Sequence, residues 1–256
     1  MIIGVDIREW QPGKRTGIGR FLEVFLGAAT TARPQDRFHL VGDATCEVRV
    51  QSSNIDVSRI VERWTMWWDQ VTLPRALARS GACVLYSPYI KVPLLAGIPV
   101  VSTMHDLTFL LRRDYNRRRA DLLLNPPFRL FCCLIARRAA AIIVDSHTSA
   151  RDIRRLLGAK PERLRTIPLA TSSRFRPDAD PEVDAGIRGK YGLKAGYVFY
   201  VGGFWPHKNV PLLVRAHAAL PEPVRLRHPL ILAGNALPRQ IHQLLTAAKG
   251  AITTRW

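Results

Sequence analysis

The chain has 256 residues, enough for one large domain or two small ones. Hydrophobic residues make up 47% and charged residues 23%, a globular balance that excludes general disorder. Its longest apolar stretches, such as residues 130–136, are far shorter than the ~18 residues that a membrane-spanning helix needs. The first ten residues, which include Asp6, Arg8 and Glu9, do not resemble a signal peptide.

The charge is strongly positive. Lys and Arg number 38 against 20 Asp and Glu, which gives a formal net charge of +18, and 31 of the 38 basic residues are arginines. Arginine pairs bidentately with phosphate, so this surface suits nucleic acid, anionic lipid or a phosphorylated substrate. A compositional bias towards arginine without any specific partner is the alternative.

The four cysteines show no metal-ligand spacing. They are Cys46, Cys83, Cys132 and Cys133, with no CxxC pair and no nearby histidine pattern. This usage predicts reduced thiols in a cytoplasmic protein and no structural metal.

Strand and helix patterns alternate along the first two thirds of the chain. Predicted strands cover residues 1–6, 38–42, 84–87, 100–104, 141–144 and 164–168. Predicted helices cover residues 17–31, 67–79, about 121–140 and 149–157. Near-continuous apolar strands that alternate with helices indicate a parallel sheet covered on both faces.

The character of the sequence changes over residues 174–196, where prolines, glycines and charges are interleaved as in a linker with one short helix. A second alternation follows, with strands at 197–201 and 230–233 and helices at 210–220 and about 238–248. These two βα units are fewer than a complete doubly wound domain contains.

Two motifs follow strands of the first part. Thr16-Gly17-Ile18-Gly19-Arg20 opens a helix, where glycine backbones and the helix dipole favour an anion. A plain turn is the simpler interpretation, since the third glycine of the dinucleotide fingerprint is absent. His105-Asp106 closes the strand at 100–104, a position at which open α/β sheets bind ligands; a pair that ties down a loop is the alternative.

A third motif runs from Gly202 to Asn209, between a strand and a helix. Two glycines followed by Lys208 at a helix start provide backbone donors, a dipole and one positive charge for a diphosphate. The alternative is a glycine turn with a solvated lysine. Asp178 and Asp180 suggest a metal pair, but no strand precedes them, and we interpret them as a solvated loop.

Arginines and bulky apolar residues are interleaved over residues 112–138. Such a stretch is able to lie on an anionic membrane surface, where each basic residue contributes about 1 kcal/mol. A core-packing helix with a charged outer face explains the same pattern.

Taken together, short motifs along nearly the whole chain resemble glycosyltransferase family 4, the group 1 retaining glycosyltransferases of GT-B fold. The resemblance rests on the order and spacing of residues 16–21, 68–74, 86–88, 105–107, 144–146, 149–153, 167–169, 174–177, 200–203, 206–209 and 232–234. It implies two Rossmann-like domains, the N-terminal one complete and the second partial. The predicted boundaries are 1–175 for the acceptor-side domain, 176–195 for the linker and 196–256 for the donor-side domain.

The resemblance also implies a chemistry, the metal-independent transfer of a sugar with retention at the anomeric carbon. It makes Lys208 and His105 the catalytic residues. The donor-binding residues that it implies are Gly17, Gly19, Gly202, Gly203, Lys208 and Asn209. No cofactor is implied. The donor is a nucleotide-sugar, with GDP-mannose favoured by the mannosyltransferase-like members, and the acceptor is a cell-surface glycan or a lipid-linked one.

The sequence departs from the family after Gly234, because the Glu-x7-Glu motif and the closing helix are absent before Trp256. This predicts a chain that lacks most of the donor domain, and a non-catalytic remnant that binds an acceptor or partner is one alternative. An arginine-rich nucleic-acid-binding module is the second, disfavoured because no nucleic-acid motif is present. The expected location is cytoplasmic, peripheral to the inner face of the cell membrane.

Overall fold

The computed structural model describes residues 1–111, 119–171 and 180–234, together with residues 244 and 246. These residues form two compact units. The first unit contains the described residues up to Leu169, and the second contains those from Ala170 onward.

The first unit is built on a sheet of seven strands in the order β3-β2-β1-β4-β5-β6-β7. The strands are β1 (Ile2–Asp6), β2 (Arg37–Gly42), β3 (Ile55–Arg59), β4 (Val84–Ser87), β5 (Val100–Thr103), β6 (Ala141–Val144) and β7 (Leu164–Thr166). All six pairings are parallel, for example Ile3 opposite Phe38 and opposite Val84. The predicted parallel sheet is therefore confirmed, and its strand order is that of a doubly wound α/β fold.

Helices connect these strands. They are α1 (Gly17–Ala32), α2 (Thr65–Trp67), α3 (Leu73–Ser80), α4 (Thr108–Leu111), α5 (Arg119–Arg138) and α6 (His147–Leu157), and a π-helical turn at Trp68–Thr72 joins α2 to α3. Two of the starts are capped in the usual way, since the hydroxyl of Thr16 accepts from the Gly19 N–H and that of Ser146 accepts from the Ser149 N–H.

The core of the first unit lies on both faces of the sheet. Ile142 and Val144 belong to one apolar cluster, and the intervening Ile143 packs against the other. Successive strand residues point to opposite faces, so the two clusters lie on opposite sides. α3 approaches β1 closely at Gly4, where a Cβ atom would be 2.1 Å from Cδ2 of Leu77.

The second unit contains a pair of parallel strands. Its elements are α7 (Pro181–Tyr191), β8 (Val198–Val201), α8 (Val210–Ala218), α9 (Glu222–Arg227) and β9 (Leu230–Ala233), with β8 paired to β9. Among the described residues of this unit, the buried apolar core is made of Val210, Val214, Leu230 and Leu244. α7 lies inside the predicted linker 176–195, and none of its residues is buried.

Three elements were not predicted from the sequence, namely β3, α4 and α9. β3 has the sequence Ile-Asp-Val-Ser-Arg and lies at an edge of the sheet, so it lacks the continuous apolar run that marks the central strands. α4 and α9 have only 4 and 6 residues, too few for a helical period to show. The helix predicted at about 238–248 lies outside the described residues except for 244 and 246.

No helix among the described residues is both long enough and apolar enough to cross a membrane.

Candidate functional site

The carboxyl ends of the seven parallel strands share one edge of the first unit, where open α/β folds bind their ligands. His105 follows β5 at this edge. Its Nδ1 lies 2.7 Å from Oδ2 of Asp145, and its Nε2 lies 3.2 Å from the carbonyl oxygen of Pro88. Its side chain keeps 19% of its surface exposed. The partner of His105 is thus the carboxylate that follows β6.

The neighbouring Asp106 has a local function instead. Its Oδ1 accepts a hydrogen bond from the Thr108 N–H at 2.8 Å, which shapes the turn before α4. The imidazole of His105 is further fixed by Phe21, whose ring meets it edge-on at 5.3 Å. His105, at the end of β5, is therefore hydrogen-bonded to the residues that follow β4 and β6. Part of its side chain remains exposed.

The two glycines predicted at the start of α1 differ in their surroundings. Gly19 is buried, and its N–H and C=O are bonded to Thr16 Oγ1 and Trp10 Nε1, both at 2.9 Å. A Cβ atom there would lie 3.1 Å from Thr16 Oγ1, so local packing explains this glycine. Gly17 is exposed, with open space where a Cβ atom would be. Of the two, Gly17 is the glycine that a ligand is able to approach.

A buried ion cluster occupies the same edge, at the end of β1. Arg8 donates from Nε and Nη2 to both carboxylate oxygens of Asp6 at 2.7–3.1 Å, and from Nη2 to Oδ1 of Asp69 at 2.5 Å. A third carboxylate, Glu62, lies 3.4 Å from Nη1. The side chains of Arg8, Asp6 and Asp69 are only 7%, 0% and 1% exposed, so the cluster belongs to the core of the unit.

Burial disfavours the charged forms of these side chains, and ion pairing among them favours the charged forms. Desolvation works against the guanidinium of Arg8, but the carboxylates of Asp6 and Asp69 outweigh it and raise the pKa of Arg8. Burial raises the pKa of the Asp69 carboxyl, against the opposing effect of Arg8. It also raises the pKa of the Tyr89 hydroxyl well above its ordinary value, and the negative charge of Asp6 adds to this.

The cysteines carry no disulfide. Burial raises the pKa of the Cys46 thiol to about 11 and that of Cys132 to about 12. Both are therefore protonated thiols at neutral pH and poor nucleophiles.

In the second unit, the predicted glycine motif follows β8. Gly202 donates its N–H to the carbonyl of Ala233 at 3.0 Å, which extends the pairing with β9 beyond the strands. A Cβ atom on Gly234 would lie 2.0 Å from the carbonyl oxygen of Gly202. Both glycines have positive φ, 155° and 143°. The ends of β8 and β9 are thus held in backbone contact, which a side chain at Gly234 would not allow.

Gly203, Lys208 and Asn209 complete this loop. The carbonyl of Gly203 accepts a hydrogen bond from the Tyr200 hydroxyl at 2.9 Å. Lys208 is exposed and ends a 3₁₀ turn, Pro206–Lys208, immediately before α8. Asn209 has φ of 50°, the only positive value among the described non-glycine residues. Asparagine tolerates this conformation well, so Asn209 turns the chain into α8.

A pocket of about 260 Å³ adjoins this loop. It is lined by Phe204, Trp205, Pro206, Asn209, Val210, Pro211 and Leu244. Of the predicted donor-binding residues, only Asn209 lines it. The structure brings Gly202, Gly203, Lys208 and Asn209 into one loop and places Gly17, Gly19 and His105 at one edge of the first unit.

A metal centre is not found among the described residues, since no three His, Cys, Asp or Glu side chains there are grouped to hold an ion. Asp178 lies outside the described residues. Asp180 caps α7, with its side chain accepting from the Glu182 N–H at 2.9 Å.

Two solved structures illustrate what this architecture resembles. WaaG, a glycosyltransferase involved in lipopolysaccharide biosynthesis, aligns with a TM-score of 0.67 at 16% identity, over 97% of this chain and 68% of its own. Anabaena Alr3699/HepE in complex with UDP and glucose aligns with a TM-score of 0.64 at 19% identity, over 98% of this chain and 67% of its own. At these identities the likeness establishes the fold, an α/β fold of GT-B type.

Residues 29–172 match Glycosyltransferase Family 4, and the chain belongs to this family of sugar-transferring enzymes. Escherichia coli O-antigen chain mannosyltransferase B is 37% identical over 97 residues, which are 38% of this chain and 25% of that protein. The serotype-specific mannosyltransferase WbdA of Escherichia coli is 28% identical over 153 residues, 58% of this chain and 18% of that protein. The matches thus span a quarter or less of these curated relatives.

Sequence reasoning missed the Arg8 cluster and Asp145. Asp6 and Arg8 end an apolar strand, and Asp145 directly follows another, so their positions at strand ends were a usable signal. Asp69, in contrast, is 61 residues from Arg8, and nothing in the sequence pairs the two.

Proposed function

We propose that this chain transfers a sugar from a nucleotide-sugar to a glycan or lipid-linked acceptor, with retention at the anomeric carbon and without a metal. The donor that we propose is GDP-mannose, because two similar proteins are mannosyltransferases. One of them is named for the O-antigen chain and the other for its serotype specificity, and we propose that this chain contributes to a cell-surface polysaccharide.

The observation that carries this proposal is the loop from Gly202 to Asn209. The loop follows the touching ends of β8 and β9, and within it an exposed Lys208 precedes the start of α8. A helix start and one positive charge are groups that bind a diphosphate.

The part of the reaction that most needs stabilisation is the departure of the diphosphate. When the bond between the anomeric carbon and the diphosphate breaks, negative charge grows on the phosphate oxygens. The ammonium of Lys208 offsets that charge, and the acceptor hydroxyl oxygen forms the new bond on the same face while its proton passes to the departing phosphate oxygen. His105 is proposed to contact the donor sugar through its exposed edge, held in position by Asp145 and Pro88.

The proposed location is the cytoplasmic side of the cell membrane. The described cysteines are all free, and two of them, Cys132 and Cys133, are adjacent in sequence, a usage that suits a reducing compartment.

The test is calorimetric titration of the full chain with GDP, UDP and GDP-mannose. Lys208→Ala is expected to weaken nucleoside diphosphate binding by about tenfold or more, since a charge-assisted hydrogen bond contributes about 1.5–3 kcal/mol. Lys194→Ala is the matched control, because Lys194 is also exposed and lies in the same unit.

Equal effects of the two substitutions would remove Lys208 from the diphosphate site. Binding of GDP-mannose without transfer of mannose to any acceptor would favour the non-catalytic alternative.

A further inference from the structure

An exposed apolar surface follows β3 at the carboxyl edge of the first sheet. The side chains of Val61, Trp64, Met66 and Trp67 are 63%, 64%, 45% and 54% exposed. We call these four side chains the tryptophan patch. Two of them are large indoles that line the same small pocket, and exposed apolar patches often mark binding sites.

The patch is held in place from beneath. The N–H of Glu62 donates to Oδ1 of Asp43 at 2.6 Å, and Oε1 of Glu62 accepts from the Thr65 hydroxyl at 2.8 Å. The same oxygen lies 3.4 Å from Nη1 of the buried Arg8. The indoles are thus presented by an anchored segment, which lowers the entropy cost of binding.

The chain beneath the patch is also irregular. The π-helical turn Trp68–Thr72 interrupts the helical run, and π turns occur frequently at functional sites. The turn places Trp68 and Asp69 inside the unit, each 1% exposed, while Trp64 and Trp67 remain outside.

A small pocket of about 100 Å³ lies at the patch. Its lining combines apolar and polar groups, namely Val61, Glu62, Arg63, Trp64, Trp67, Trp68 and Thr72. Sites for drug-sized ligands occupy roughly 300–1,000 Å³. The pocket is therefore too small for a nucleotide-sugar but suits part of one small ring.

One buried polar group among the residues that line the pocket lacks a hydrogen-bond partner in the part of the chain that the structure describes. The indole Nε1 of Trp68 is buried and has no hydrogen-bond partner among the described residues. Such groups are rare in folded proteins and each calls for an explanation. Trp68 is also one of the residues that line the pocket.

We propose that the tryptophan patch is a subsite for the pyranose rings of the glycan acceptor, an assignment that rests on the proposed function. One face of a pyranose ring exposes C–H groups that pack on an indole, and its hydroxyls need polar partners. Trp64 and Trp67 supply the apolar faces, while Glu62, Arg63 and Thr72 supply polar groups.

Charge and size favour a neutral sugar over other occupants. The charged residues that line the pocket are Glu62 and Arg63, one acid and one base, in a chain whose net charge is +18. An anionic membrane would select a basic surface instead. A second copy of the chain needs roughly 800 Å² on each partner, far more than four side chains supply.

The test is titration of the full chain with an α-linked mannotriose, followed by ligand-observed NMR. Trp64→Ala and Trp67→Ala are each expected to weaken binding about tenfold, the effect of losing one large apolar contact. Trp67→Phe, which keeps an aromatic face, is expected to stay closer to the wild type than Trp67→Ala. Leu95→Ala is the matched control, because Leu95 is an exposed apolar residue of the same unit, at 85%.

Mannotriose binding that is absent, or unchanged by both alanine substitutions, overturns this assignment. The assignment is also overturned if the alanine variants no longer sediment with anionic vesicles but still bind mannotriose as the wild type does. That result would identify the tryptophan patch as a membrane-binding surface. A dimer that the alanine variants abolish would identify a second copy as the occupant. GDP titration is measured in parallel, and an intact Lys208-dependent response there keeps the proposed function even when the mannotriose result is negative.

Discussion

At the scale of single residues, the most demanding feature is the charge cluster at the end of β1. Three carboxylates, those of Asp6, Asp69 and Glu62, surround the single guanidinium of Arg8. Oδ2 of Asp69 is buried without a hydrogen-bond partner among the described residues. Such a cluster is stable only while the cation is present, because unpaired buried carboxylates are costly.

Arg8→Met is therefore expected to lower the free energy of unfolding by about 3–5 kcal/mol, the cost of breaking a buried ion pair. Urea unfolding followed by circular dichroism measures it.

Arg37→Met is the control for that substitution. It breaks the Arg37–Asp56 pair, whose side chains are 54% and 44% exposed. Surface pairs contribute about 0–1 kcal/mol. The free energy of unfolding of the control variant is therefore expected to be close to that of the wild type. Similar losses in the two variants would contradict the view that burial makes the Arg8 cluster different.

At the scale of elements, the contact between β1 and α3 depends on a missing side chain. A Cβ atom at Gly4 would come within 2.1 Å of Leu77, whereas one at Gly27 in the middle of α1 would have nothing within 4 Å. Alanine is therefore expected to clash at Gly4 and to fit at Gly27.

Gly4→Ala is expected to destabilise the first unit by about 1–3 kcal/mol, because the buried Leu77 side chain has to move in a closely packed core. Gly27→Ala is expected to stabilise it by about 0.4–1 kcal/mol, because alanine loses less conformational entropy in a helix. Thermal unfolding of the two variants compares them. A gain in stability from both substitutions would show that the packing of α3 on β1 adjusts without cost to a methyl group at position 4.

α5 packs one face into the core and exposes the other, while binding of its outer face to a membrane stays a prediction. Cys132, Ile135 and Ala136 are fully buried in the core, while Leu130 and Leu134 are 62% and 42% exposed. Arg129, Arg137 and Arg138 share the exposed side. Residues 112–118 of the predicted membrane-binding stretch lie outside the described residues. The outer face of α5 therefore combines apolar and basic side chains, as a helix on an anionic membrane does.

The double substitution Leu130→Gln and Leu134→Gln is expected to lower sedimentation with anionic vesicles at low salt and to leave that with neutral vesicles unchanged. Apolar burial and attraction to anionic headgroups act together in such binding. Leu95→Gln provides the control. Equal sedimentation with anionic and neutral vesicles by the wild type would reject membrane binding.

At the scale of the whole molecule, the two units differ in how much they bury. Two large apolar clusters enclose the seven-stranded sheet, whereas four side chains form the described core of the second unit. In β8, Val198, Phe199 and Val201 are 42%, 54% and 70% exposed. Local stability follows such burial.

Amide hydrogen exchange is therefore expected to be slow in β1, β4 and β5 and faster in β8 and β9. β3, an edge strand of the first sheet, serves as the internal control and is expected to lie in between. Equally slow exchange in β8 and β1 would mean that the second unit is stabilised by contacts beyond its four-residue core.

The sequence by itself determined the α/β class, because apolar strands of four to six residues alternate with helical periods, and it determined the family through the order of short motifs. Gly202, Gly203, Lys208 and Asn209 were predictable as a group because they are local, lying in one loop. Only the tertiary structure decided that His105 pairs with Asp145 rather than with the adjacent Asp106, and that Asp69 joins Arg8. It alone showed that a π turn buries Trp68 while Trp64 and Trp67 stay exposed. Pairing between distant residues depends on which strand ends meet at one edge, and no local pattern encodes that.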